Sequence, residues 1–301
     1  MSTAHDTGNM PDFPGGDIRQ SGPTALRMLV GAELRRLREA SEISRDQAGY
    51  VIRGSQSKIS RLEAGRTSFK PRDVEDLLTL YGVTDTAERA ALLALVKQAN
   101  APGWWQHYRD VIPEWFEGYL GLEQDASLIR TYEVQFVPGL LQTEDYARAV
   151  ISRGRENEPE ALIERRVAVR IHRQQILTGP APCRLWVIVD EAALRRPVGN
   201  QAVMRAQLEH LALMAELPHV TVQVIPFSSD AAVAGIGPVT LLRFPQAELA
   251  DVVYLEHLTG AQYLSKAEAV GPYLGLMNNL GVHASSPPAT SAMLRQLIAE
   301  L

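Results

Sequence analysis

Residues 44–66 (SRDQAGYVIRGSQSKISRLEAGR) constrain the fold more than any other stretch, because their pattern predicts two short helices joined by a tight turn. Ala48 and Ile52 lie four apart and can form the inner face of a first helix. Ile59 and Leu62 lie three apart and can do the same for a second. Neither helix is long enough to be stable alone, so the stretch predicts a compact helical domain around it.

The turn and the ends of the second helix are marked by three residues. Ser55 is the predicted N-cap, and Gly54 is expected to take the positive φ that a tight turn needs. Gly65 falls where a helix C-terminus commonly turns. These positions leave a second helix of about ten residues.

The outward residues of this second helix have side chains suited to DNA. Gln56 and Arg61 can make paired hydrogen bonds to adenine and guanine edges, and Ser57 can bond to any base. Lys58 can neutralise a phosphate. Their combination on one short helix predicts a recognition helix that enters the major groove.

Residues 34–66 resemble the phage-repressor type of helix-turn-helix domain found in many bacterial regulators, and the likeness extends over about residues 26–100. The resemblance implies that Arg45 and the first residues of the recognition helix contact DNA. It also implies an ion pair between Arg38, at the end of the opening helix, and Glu63. The residues that we predict to contact DNA are Arg45, Gln47, Ser55, Gln56, Ser57, Lys58, Arg61, Arg66 and Lys70.

The charge of the chain is unevenly distributed. The formal net charge is −5, but residues 26–72 contain eleven Lys or Arg against five Asp or Glu, and residues 101–301 contain sixteen against twenty-two. A basic module joined to an acidic one is expected when a DNA-binding domain precedes a domain with another task. A solvated charged face is the alternative explanation.

A length of 301 residues allows two domains, each with its own core. The N-terminal domain is predicted to be all-α, with five short helices. The apolar stripe of Leu26 and Leu34 defines the first, and Pro71 and either Thr84 or Asp85 suit the starts of the last two. The predicted boundaries are 1–23 for a disordered arm, 24–100 for the helix-turn-helix domain, 104–283 for a second domain, and 284–301 for a linker and short C-terminal helix.

The second domain is predicted to be α+β, with a mostly antiparallel sheet of about four strands. Four apolar runs rich in β-branched residues supply the strands, namely CRLWVIVDE, VTVQVIPF, VTLLRF and DVVYLEH. Long helices are predicted for residues 113–133, 158–177, 200–216 and 262–280. The arginine-rich face of the helix at 158–177 could bind phosphate, but we expect a solvated face.

Residues 104–123 and 129–150 resemble the signature of a domain of unknown function that follows such DNA-binding domains in actinobacterial regulators. The likeness covers about residues 104–283. It implies a small partner protein encoded nearby, since some members of that family are described as antitoxin-like or as developmental switches.

The segment around the Pro138-Gly139 turn is the predicted switch surface for an effector or partner, because it carries apolar side chains on a loop. The alternative is that these side chains fill the core of their own domain. Trp104 and Trp105, at the start of the second domain, have the same two interpretations: they contact an effector or partner, or they pack into the core of the domain. The candidate effector or partner residues are Trp104, Trp105, Tyr132, Phe136, Leu140, Leu141 and Tyr146.

No enzymatic site is expected, and neither a cofactor nor a metal. The single cysteine, Cys183, excludes an internal disulfide and fits a reducing cytosol. The histidines lack metal-ligand spacing, and the Gly-rich phosphate loops are missing. An Ala234-Gly235 pair suggests a self-cleaving repressor domain, but it follows the candidate nucleophiles Ser228 and Ser229 instead of preceding them.

The sequence therefore predicts a cytoplasmic, homodimeric transcription regulator that acts as a repressor and binds a double-stranded operator. Its second domain is expected to sense a small-molecule effector or a small partner protein. The competing hypothesis is an antitoxin-like interaction module that sequesters the partner. No apolar run spans a membrane and no secretory signal is apparent.

Overall fold

A computed structural model describes residues 22–155, 157–229 and 237–301. The chain divides into two compact units. One unit extends to Trp104 and includes Gln246–Leu249, and the other comprises Trp105–Pro245 and Ala250–Leu301. Most of the predicted arm, and the Ala234-Gly235 pair, lie outside the described residues.

The part of the first unit that the structure describes contains five helices, which confirms the all-α prediction for the N-terminal domain. They are α1 Pro23–Ala40, α2 Arg45–Val51, α3 Gln56–Glu63, α4 Pro71–Leu80 and α5 Thr86–Ala99. Helix α1 begins at Pro23, the last residue of the predicted arm, because Pro suits the first helical position. The inner faces of the helices bury the aliphatic residues that their periodicity indicated, such as Leu34, Ile59 and Leu77.

Two glycines let α3 approach α1 closely. A Cβ atom on Gly31 of α1 would lie 2.5 Å from the carbonyl oxygen of Leu62, so only glycine fits there. Gly65 has a φ of 64°, and a Cβ on it would lie 2.7 Å from the Cα of Met28. The position of α3 is therefore set by backbone packing against α1.

The turn between α2 and α3 differs from the prediction in one residue. Arg53, not Gly54, has the positive φ, at 51°. Helix α2 ends in a Schellman motif, in which the Arg53 N–H donates to Tyr50 O and the Gly54 N–H donates to Gly49 O. This motif requires the left-handed conformation at the residue directly after the C-cap, Ile52, and that residue is Arg53.

The second unit contains seven α-helices and six strands among its described residues. The helices are α6 Glu114–Asp125, α7 Glu144–Arg153, α8 Glu160–Arg173, α9 Glu191–Arg195, α10 Gln201–Met214, α11 Ala267–His283 and α12 Pro287–Glu300. The strands are β1 Leu128–Glu133, β2 Arg184–Asp190, β3 Val220–Ile225, β4 Val239–Arg243, β5 Val252–His257 and β6 Gly260–Leu264. Short 3-10 helices in the described ranges span Gly139–Leu141 and Gln174–Leu177, and another, Trp104–Tyr108, begins at the last residue of the N-terminal segment of the first unit.

The strands form one six-stranded mixed sheet in the order β3-β2-β1-β4-β5-β6, so the predicted sheet of about four, mostly antiparallel strands was imprecise. Strand β1 is parallel to β2, and β2 is parallel to β3. The other three pairs are antiparallel. The parallel pairs arise because helices α7 and α8, and then α9 and α10, form the crossovers between successive strands.

The two strands that the prediction missed lie within predicted helices. Residues 113–133 were predicted as one helix, but α6 ends at Asp125 and β1 begins at Leu128. The β-branched residues Ile129 and Thr131 favour a strand there, and β1 is the central strand that joins the parallel and antiparallel parts of the sheet. Strand β6 similarly replaces the start of the helix predicted at 262–280.

Successive residues of β1 face opposite sides of the sheet. On one side, Tyr132 joins a core cluster with Ile188, Val253 and Met277 of α11. On the other side, Ile129, Thr131 and Glu133 line a cleft that is described below.

The C-terminal helix is part of the second unit. Helix α12 begins at Pro287, inside the predicted linker, and its side chains Leu294 and Leu297 are buried. It packs against α10 and β3. None of the helices formed by the described residues is both long and apolar enough to cross a membrane.

Candidate nucleic-acid interface and ligand cleft

The start of α3 presents the residues suited to base contacts. The Ser55 side chain caps the helix by accepting a hydrogen bond from the Lys58 N–H at 3.2 Å. Gln56 and Ser57 follow in the first turn and are exposed. Arg61, one turn further on, is also exposed, so the first two turns of α3 offer a polar outer face.

A buried ion pair fixes the other end of α3. Glu63, the last residue of the helix, accepts hydrogen bonds from two nitrogens of Arg38 and, at 3.0 Å, from Nε of Arg45. The hydrogen bond with Glu63 raises the pKa of the Arg38 guanidinium. Because Arg38 belongs to α1 and Arg45 to α2, one carboxylate ties three helices together.

Several of the predicted DNA contacts have partners within the protein, beginning with Ser55, whose hydroxyl caps α3. Arg45 is bound to Glu63, Gln47 accepts a hydrogen bond from the Ser44 N–H in a capping box, and Lys58 lies 2.5 Å from Asp73. The amide of Gln47 thus has a capping role that the sequence analysis did not assign. A phosphate would have to compete with Asp73 for the ammonium of Lys58.

Other positively charged and aromatic groups of the first unit are exposed. Arg66 and Lys70, between α3 and α4, are exposed. Tyr50 on α2 is 85% exposed, which is unusual for a tyrosine. Tyr50 was not among the predicted contacts, although its position between the buried residues Ala48 and Ile52 indicates an outward side chain.

The second unit contains a cleft of about 700 Å³, which is large enough for a small molecule. Helices α6 and α8 form one wall and strands β1, β4 and β5 the other. The segment around Pro138-Gly139 also lines the cleft, with Phe136 and Leu140 among its lining residues.

The arginine side of α8 faces this cleft in part, which corrects the prediction of a solvated face. Arg173 is buried and donates two hydrogen bonds, each 2.7 Å long, to the carboxylate of buried Glu123. Its guanidinium also lies over the rings of Phe116 and Tyr119. Arg170 donates to the side chain of Gln142 at 2.9 Å.

Glu133 at the end of β1 is a carboxylic acid of the cleft with a perturbed pKa. Burial and the nearby charge of Glu256 raise the pKa of its carboxyl group to about 7, while Arg170 and Arg173 act in the opposite direction. Burial lowers the pKa of the Arg170 guanidinium to about 10. Both perturbed groups lie in a single cleft, as is common at functional sites.

The candidate effector residues divide into three groups. Trp105, Tyr132, Leu141 and Tyr146 are buried in the second unit, as the core alternative expects. Leu140 is buried as well, yet it lines the cleft together with half-buried Phe136. Trp104 is half-buried.

Among the described residues, no group of three or more His, Cys, Asp or Glu side chains could hold a metal ion. Cys183 is buried, and burial raises the pKa of its thiol to about 12. A thiol with that pKa stays protonated at neutral pH and is a poor nucleophile.

Two family models match the chain. A helix-turn-helix domain matches residues 29–92, which indicates a DNA-binding regulator. A domain of unknown function, DUF5753, matches residues 116–296, more than half of the chain. The protein therefore belongs to the DUF5753 family. A search of curated proteins finds no match, and neither does a search of solved structures.

Proposed function

We propose that the protein is a sequence-specific transcription regulator of the phage-repressor type, acting in the cytoplasm as a repressor. The observation that carries this proposal is the geometry of α3. Gln56 and Ser57 are exposed at its start, while its end is anchored by the buried pair of Arg38 and Glu63. A short helix held in this way can carry side chains to base edges without losing its orientation.

A homodimer on a two-fold related operator follows from the small size of the exposed face of α3. One short recognition helix reads only a few base pairs, so selectivity requires two copies. The half-sites are then expected about one DNA turn apart, roughly 34–36 Å.

We further propose that the second unit is a sensing domain without catalytic activity. Its cleft of about 700 Å³ supports a small-molecule effector. An antitoxin-like interaction with a small partner protein is the competing hypothesis, and it predicts a response to that protein alone.

The experiment is selection of bound sequences from a random DNA pool, followed by affinity measurements with Gln56→Ala. The variant should lose about 1–3 kcal/mol on the selected operator and relax the preference at one base pair. Gln98→Ala on α5 is the matched control, because Gln98 is also an exposed helical glutamine. Equal weakening by Gln56→Ala on every DNA sequence would assign Gln56 to the backbone, and failure to select any sequence would contradict the proposal.

A further inference from the structure

The ammonium of Lys58 is neutralised within the protein, although Lys58 lies in the first turn of α3 directly after the exposed residues Gln56 and Ser57. Its Nζ lies 2.5 Å from a carboxylate oxygen of Asp73, in the first turn of α4. The side chains of Lys58 and Asp73 are only 29% and 15% exposed, so water screens this ion pair only in part. The pair as a whole therefore adds no net charge to the start of α3.

Gly54 leaves room for the side chain of this lysine. The left-handed residue of the turn between α2 and α3 is Arg53, so the φ of Gly54 does not require a glycine. A Cβ atom on Gly54 would instead lie 2.7 Å from Cδ of Lys58, which is too close for two carbon atoms. The next neighbours of that Cβ, at 3.5 and 3.6 Å, would be at ordinary contact distances. Glycine at position 54 thus lets the Lys58 chain lie against the turn while its ammonium reaches Asp73.

Arg61 is a cation of a different kind on the same helix. It is exposed, and it forms no salt bridge with any carboxylate that the structure describes. Its guanidinium is therefore available to an external anion, whereas the ammonium of Lys58 is not.

Lys58 could contact a phosphate only by leaving Asp73. The carboxylate of Asp73 would then remain ionised beside the first turn of α3, where it would be repelled by the phosphates of bound DNA. One ion pair would be exchanged for another, without any gain in net positive charge. Cations that neutralise phosphates release counterions from DNA, and this release supplies essentially all of the sequence-independent binding. A lysine paired with Asp73 makes no such contribution.

We propose that Asp73 acts as an internal counter-ion that keeps Lys58 off the DNA backbone and so limits the sequence-independent affinity of α3. Gln56 and Ser57 are then left to read bases in the same turn of the helix. The proposal rests on the proposed function, because it requires α3 to be the helix that enters the groove. It gives Asp73 a role in DNA selectivity, and it makes Lys58 an exception among the predicted phosphate contacts.

The salt dependence of binding to a random-sequence duplex tests this role in the full-length protein. Asp73→Asn removes the counter-ion and releases Lys58. The slope of log binding constant against log salt concentration should then steepen by about 0.9, which is an additional fall in affinity of about 3.5-fold between 50 and 200 mM salt. An Asp73→Asn slope equal to that of the wild type would overturn the proposal.

The double variant Lys58→Met, Asp73→Asn separates the release of Lys58 from the loss of a negative charge. Methionine keeps the apolar stem of the lysine, and the double variant keeps the net charge of the wild type. Its slope should therefore return to the wild-type value. A slope as steep as that of Asp73→Asn would show that Asp73 acts only by repelling DNA, and a slope about one unit shallower than the wild type would show that Lys58 contacts a phosphate. Either result would overturn the proposal.

Gly54→Ala releases Lys58 by an independent route, because its Cβ occupies the place of the Lys58 chain while both charges remain. It should steepen the slope in the same direction as Asp73→Asn, and it tests the proposal if Asp73→Asn folds poorly. Arg61→Met is the control for a phosphate contact on the same helix, and it should make the slope shallower by about one unit.

The same measurements separate this proposal from the proposed function. A protein that selects an operator, but whose slope is unchanged by Asp73→Asn, would remain a regulator without a role for Asp73. Absence of duplex binding by the wild type and by every variant would defeat the proposed function, and the role of Asp73 with it.

Discussion

Glu63→Gln is the sharpest test of how the recognition helix is held. Glu63 accepts two hydrogen bonds from Arg38 and one from Arg45, and the side chains of Arg38 and Glu63 are only 8% and 4% exposed. Glutamine keeps one carbonyl oxygen, but its side-chain amide points an N–H donor at the guanidinium of Arg38. The buried positive charge of Arg38 then lacks the counter-ion that Glu63 supplies.

The expected cost follows from these contacts. Removing one partner of a buried ion pair costs about 3–5 kcal/mol. Arg38 keeps a hydrogen bond to the Ile43 carbonyl at 2.9 Å and a longer one to Glu39 at 3.3 Å, so the lower end of that range, about 3 kcal/mol, is expected. The loss should fall on the first unit.

Hydrogen exchange of peptides from α1 and α3 in the full-length protein measures this loss locally, and urea unfolding measures it globally. The control is Glu33→Gln, which breaks the more exposed pair with Arg36 on α1 and should cost below about 1 kcal/mol. The double variant Arg38→Met, Glu63→Leu should recover most of the stability, because well-packed apolar side chains can replace a buried pair. A cost below about 1 kcal/mol for Glu63→Gln would refute the reasoning.

Three further predictions concern other parts of the chain. Leu140→Ser should lower the stability of the second unit by about 2–5 kcal/mol in thermal unfolding, because Leu140 is only 4% exposed. A variant that stays stable but no longer responds to the effector or partner would instead favour a switch surface. Replacing Arg66 or Lys70 by alanine should weaken binding to all DNA sequences alike. It should also reduce the slope of log binding constant against log salt concentration by about one unit per lost phosphate contact. An unchanged slope for both variants would show that neither residue contacts a phosphate. Arg53→Gly should raise the stability of the first unit by about 0.5–1 kcal/mol, because it relieves a left-handed backbone, and a loss in urea unfolding would show that the arginine side chain outweighs the strain.

Local sequence determined the helical domain almost completely. The spacing of Ile59 and Leu62, the cap at Ser55 and Pro71 at the start of α4 act within one or two helical turns, so they are visible in the sequence. The positive φ was predicted at Gly54 but occurs at Arg53, because its position depends on where α2 ends and not on which residue tolerates a positive φ best. The pairing of Arg38 with Glu63 came from family resemblance, since no local rule joins residues 25 positions apart.

Tertiary structure decided the second unit. Strand β1 looked helical because it follows α6 after only two residues, and its pairing with β2 and β4 overrides that local preference. The cleft was invisible for the same reason: Glu133, Arg170 and Glu256 lie on three elements and meet only when the sheet forms. The sequence by itself therefore determined the helices of the first unit and the exposed polar face of α3, whereas the burial that makes Arg173 structural and perturbs Glu133 depends on long-range packing that no local pattern encodes.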